Sequence, residues 1–128
     1  MKSVYFATLV LLLTLPGCAE NDEDLPGAVR LRVENNSGFS FDNVEIVAGN
    51  GGTSVFQDVE PGGASEYARF NFIYSYAYVR VTIGDEEYRL VPTDYVGEQK
   101  YYFGSYTYVI SFSDLGNPNS LILTFRQD

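Results

Sequence analysis

From Ala28 onward the chain alternates apolar and polar residues with a period of two, and the wider spacing of an amphipathic helix is nowhere sustained. In residues 28–34, Val29, Leu31 and Val33 fall on one face while Arg30, Arg32 and Glu34 fall on the other. Phe41–Val47 and Thr53–Val59 are rich in β-branched and aromatic residues and are parted by the turn cluster Gly49-Asn50-Gly51-Gly52. Pro61-Gly62-Gly63 closes the third run. In residues 66–72, Ala68, Phe70 and Phe72 oppose Tyr67, Arg69 and Asn71. The alternation is cleanest in residues 75–83, with Ala77, Val79, Val81 and Ile83 inward and Tyr76, Tyr78, Arg80 and Thr82 outward. Gly84-Asp85 then turns the chain into a hairpin partner at 86–91, and a loop at 92–100 follows. Residues 101–112 put Tyr106, Tyr108, Ile110 and Phe112 on one face, and 120–126 do the same with Leu121, Leu123 and Phe125. Seven or eight strands with short turns, and no segment that calls for a helical crossover, predict an all-β domain over 28–128. The expected architecture is an antiparallel β-sandwich, immunoglobulin-like or transthyretin-like.

The first 27 residues follow a different pattern. Lys2 precedes an apolar run from Val4 to Leu15, and Pro16-Gly17-Cys18 follows. A basic start, a short apolar stretch and a small residue before a cut describe a cleaved signal peptide over 1–17. Twelve residues of helix span only about 18 Å, short of the roughly 30 Å hydrocarbon core. Leu15-Pro16-Gly17-Cys18 resembles the bacterial lipobox, with Pro16 in place of the usual small residue. The resemblance implies cleavage between Gly17 and Cys18, a diacylglycerol on the Cys18 thiol and an N-acyl chain on the new terminus. Several acyl chains on one residue are enough for stable anchoring, where a single chain holds only marginally.

Residues 18–27 form a lipidated acidic tether carrying Glu20, Asp22, Glu23 and Asp24, whose like charges repel and favour extension. An acidic cluster directly after the cysteine resembles the export signal of surface lipoproteins of the Bacteroidetes group. That resemblance implies surface exposure at a Gram-negative outer membrane. The strand-and-turn phrases Val59-Glu60-Pro61-Gly62-Gly63-Ala64-Ser65-Glu66-Tyr67 and Gly104-Ser105-Tyr106-Thr107-Tyr108-Val109-Ile110 are similar to those of small β-sandwich lipoproteins from such bacteria, a likeness that brings no activity with it.

Composition narrows the chemistry. The net charge of −9 argues against nucleic acid, whose phosphates need clustered Lys and Arg. Histidine is absent and Cys18 is the single cysteine, so Ser/His and Cys/His nucleophile pairs cannot be built, and the common zinc, copper and haem ligands are missing. No intramolecular disulfide is available. Lys100, the one lysine after the leader, sits in a polar loop that gives no reason for a lowered pKa. Asp85-Glu86-Glu87 and Asp94 lack the spacing of a calcium loop and read as turn residues. We therefore expect no enzyme, no metal and no cofactor beyond the lipid.

Tyrosine is the compositional exception, with ten of eleven after the leader. Most of them suit cross-strand packing. Tyr76 and Tyr78 share their predicted face with Arg80, a combination favoured at protein interfaces and, as an aromatic platform, under sugar rings. The expected function is thus a non-enzymatic, lipid-anchored, surface-displayed binding or adhesion-type module with a protein or glycan ligand. A glycan-binding accessory to an outer-membrane uptake system, and a structural or inhibitory envelope lipoprotein, are the alternatives.

Overall fold

The computed structural model describes residues 28–128. Their strands are β1 (Val29–Asn35), β2 (Phe41–Val47), β3 (Thr53–Val59), β4 (Ala68–Phe70), β5 (Tyr78–Ile83), β6 (Glu86–Leu90), β7 (Gly104–Phe112) and β8 (Leu121–Gln127). They form two four-stranded sheets, ordered β4-β1-β7-β8 and β3-β2-β5-β6, which make an all-β sandwich. Signal peptide, Gly17, Cys18 and the acids Glu20, Asp22, Glu23 and Asp24 lie outside the described residues.

Alternation places the core where the pattern puts it. Val29, Leu31 and Val33 of β1, Val79 and Val81 of β5, and Tyr108 and Ile110 of β7 are fully buried and face one another between the sheets. Each such aliphatic side chain contributes about 1.5–3 kcal/mol by leaving water. Alternation breaks once on β2, where Phe41 and Val44 are both buried and Asp42 is exposed. Opposite it, Asp58 takes a left-handed φ of 56°, a conformation aspartate tolerates, and the twist turns Val59 into the core beside its partner Phe41.

All pairings between named strands are antiparallel except β1 with β7, which run parallel from Val29 opposite Gly104 to Asn35 opposite Ile110. The intervening chain adds β4 to the first sheet and builds the second, then returns to the first from the pole where β1 begins. No helix is needed for that return.

Three strands are shorter than the alternation suggests. The 66–72 run pairs only at Ala68–Phe70, the 75–83 run begins its ladder at Tyr78, and the 101–112 run begins at Gly104. The backbone groups left over bond between loops: the Asn71 N–H donates to the Gly51 carbonyl at 2.8 Å, and Ile73 and Tyr101 exchange N–H···O bonds of 3.0 and 2.8 Å. Phe72 consequently leaves the core face it was expected to share with Phe70.

A polar pole and an aromatic pole frame the candidate contact surfaces

β1 and β7 begin at one end of the sandwich, where β4 ends. In the other sheet, β3 and β5 begin and β2 and β6 end at that same pole. Three connections therefore meet there: the 48–52 turn, residues 71–77 and the long loop 91–103. Gly51 sets their spacing, because a Cβ on it would fall on the Phe72 carbonyl.

Aromatic rings close this pole. Tyr95 lies between Tyr74, stacked at 4.1 Å and 8°, and Tyr76, stacked at 5.4 Å and 28°. Its hydroxyl accepts the Tyr78 N–H at 3.2 Å and reaches the Val47 carbonyl at 3.5 Å. The Tyr76 hydroxyl donates to the Asp94 carbonyl at 2.9 Å, which pins the loop a second time. Phe72 meets Tyr74 edge-on at 5.6 Å and Tyr102 at 5.9 Å, with the Lys100 ammonium 4.6 Å above its ring. From beneath, the buried Tyr108 hydroxyl donates to the Tyr74 carbonyl at 2.7 Å. Burial pushes the Tyr108 and Tyr95 phenols above the usual tyrosine range. Outside this frame the loop exposes Val91 (68%), Val96 (88%), Tyr102 (49%) and Phe103 (52%).

The structure divides the Tyr76, Tyr78 and Arg80 set. Tyr76 precedes β5 and gives one ring face to Tyr95, whereas Tyr78 and Arg80 lie on the outer face of the second sheet. Arg80 is bridged to Glu45 at 3.0 Å and Glu87 at 3.8 Å, contacts supplied by neighbouring strands. All three residues are half-buried.

On the outer face of the first sheet, Asp128 collects hydrogen bonds from Tyr67 (2.7 Å) and Thr107 (2.8 Å), with Arg126 at 3.4 Å and Arg32 at 3.7 Å. Burial alone would raise its carboxyl, but these donors hold it below the usual aspartate value. Arg126 also bridges Glu34 at 3.0 Å. This network closes a sheet face with internal partners. A shallow groove of about 260 Å³ runs between β3 and residues 65–68, lined by Val55, Phe56, Gln57 and Tyr67 among others.

Among the described residues no three His, Cys, Asp or Glu side chains converge as metal ligands, and no helix is long and apolar enough to cross a membrane. The sequence reading missed Tyr95 as an organising residue, since it sits in a loop of polar appearance. It also missed Asp128, whose partner Tyr67 is 61 residues away. No local pattern marks either. No protein-family model and no curated protein sequence matches the chain.

Proposed function

We propose that this chain is a non-enzymatic, lipid-anchored module of the bacterial cell envelope, displayed at the outer-membrane surface, that works by contact. The observation that supports this reading is the aromatic pole: a loop pinned twice by tyrosines that presents four half- to fully exposed apolar side chains beside the N-terminal exit of the domain. A rigid frame under exposed apolar groups suits binding, because little order has to be imposed when contact forms. The lipobox-like Leu15-Pro16-Gly17-Cys18 supplies the anchor. A glycan platform centred on Tyr76 is the weaker reading, since Tyr76 is already stacked on Tyr95, and Tyr95 on Tyr74.

The anchor decides the reading. Intact-mass measurement and palmitate labelling should find acyl chains on Cys18, and Cys18→Ala should release the protein from membranes. An unmodified Cys18, or membrane retention of the alanine variant, would refute it.

A further inference from the structure

Four of the nine exposed large apolar residues among the described residues lie at the pole where the folded domain starts. Val29, the first residue of β1, pairs with Gly104, the residue after Phe103. The chain from Cys18 to Gly27 has ten residues and reaches at most about 35 Å. β7 alone has nine residues, which make roughly 30 Å of strand, so presenting the opposite pole to the bilayer would consume nearly the whole tether. With the aromatic pole toward the bilayer the tether needs no stretching.

Four of the exposed large apolar residues, Val91, Val96, Tyr102 and Phe103, lie on the 91–103 loop of this pole, against Phe39 and Leu115 in the turns of the other. Tyrosine and other amphipathic rings favour the headgroup level of a bilayer, where one end of the side chain is apolar and the other wet. The charged groups of the 91–103 loop are Asp94, Glu98 and Lys100, an acidic surplus that gives anionic headgroups no advantage there.

We infer that the aromatic pole rests on the bilayer interface that holds Cys18, with Val96, Tyr102 and Phe103 as the contacting side chains. The lipid surface is thus the partner of this pole, and the opposite pole and the outer sheet faces are turned outward. The inference rests on the anchor reading above, and the experiment separates the two.

The chain has no tryptophan, so Phe103→Trp and Phe39→Trp each install a single reporter, at positions 52% and 53% exposed on opposite poles. The full-length acylated variants are reconstituted into phosphatidylcholine vesicles with and without brominated lipid, and the mass of Cys18 is measured on the same preparations. Several-fold quenching and a blue shift for Phe103→Trp, with Phe39→Trp unaffected, are expected. Equal quenching at both positions, or none at Phe103→Trp on acylated protein, overturns the orientation and leaves the anchor standing. Absence of acyl mass on Cys18 overturns both. Quenching that requires added phosphatidylglycerol would overturn the apolar contact. Val96→Trp repeats the measurement if the Phe103 variant folds poorly.

Discussion

Asn35 and Tyr95 close opposite ends of the same sandwich by different chemistry. At the pole away from the N-terminal exit, the buried Asn35 amide donates to the carbonyls of Phe39 (2.7 Å) and Val59 (2.9 Å). Its oxygen accepts from the Ser37 N–H and hydroxyl at 2.9 and 2.7 Å. One side chain thereby ties β1, the 36–40 turn and the end of β3 with directional bonds. At the exit pole, Tyr95 ties three connections through ring faces and one hydroxyl. Hydrogen bonds satisfy the buried polar groups of the Asn35 pole, where Phe39 and Leu115 are the exposed large apolar residues, whereas the ring-built frame carries four such residues on one loop. The pole where β1 begins is thus the one whose long loop exposes Val91, Val96, Tyr102 and Phe103.

The largest expected effect comes from the strand that supports the aromatic pole. Tyr108→Ala should cost about 3–5 kcal/mol, seen as a lower urea midpoint, through lost core volume and an unpaired Tyr74 carbonyl. Asn35→Ala should cost about 2–4 kcal/mol, because it takes the side-chain donor from the Val59 carbonyl and leaves the Phe39 carbonyl with the Ser37 hydroxyl alone. Exchange of the hydrogen-bonded Glu98 and Tyr101 N–H groups should stay near the parent rate in that variant under native conditions. Tyr95→Ala should cost about 1–3 kcal/mol and act locally, raising exchange in 71–77 and 91–103 while 36–40 stays protected. If Tyr95→Ala loosened both poles alike, the division between them would fail.

Alkaline pH should weaken the fold without mutation, through the Tyr108 and Tyr95 phenols that support the aromatic pole. Below the ordinary tyrosine value of 10.0, Tyr108 and Tyr95 keep their protons in both states and stability is unaffected. Above it the unfolded chain ionises while the folded chain resists, so the unfolded state binds fewer protons and stability falls as pH rises. The slope should approach about 1.4 kcal/mol per pH unit for each such tyrosine, until its folded pKa is reached. Tyr108→Phe should flatten it in pH-dependent urea titrations. The smallest expected effect is Tyr102→Ala with Phe103→Ala, within about 0.5 kcal/mol of the parent, since both rings are half exposed. A large loss of stability there would assign these rings to packing.

Much of the fold was legible in the sequence. Where burial is one-sided and period-two, as in Val29-Arg30-Leu31-Arg32-Val33 and Ala77-Tyr78-Val79-Arg80-Val81, alternation identified the inward face because one residue of slip would expose the whole set. It failed where backbone groups choose distant partners. Asn71 leaves its ladder for Gly51, a preference set by the close approach of two turns and invisible in the 66–72 pattern. The parallel β1–β7 pair depends on which pole the 91–103 loop returns to, and residue spacing says nothing of that. The candidate contact surface was legible only in part. Tyr76 drew notice through its alternation with Ala77, but the ring that organises it, Tyr95, lies 19 positions on in a segment without periodicity.

The orientation of the two poles can be read directly by chemical access. With the Cys18 thiol blocked by its lipid, Phe39→Cys and Phe103→Cys each provide a single reactive thiol in the full-length acylated protein. On phosphatidylcholine proteoliposomes, a membrane-impermeant maleimide should modify Phe39→Cys readily and Phe103→Cys many-fold more slowly, and detergent should make the two rates equal. Equal rates on intact proteoliposomes would contradict the account.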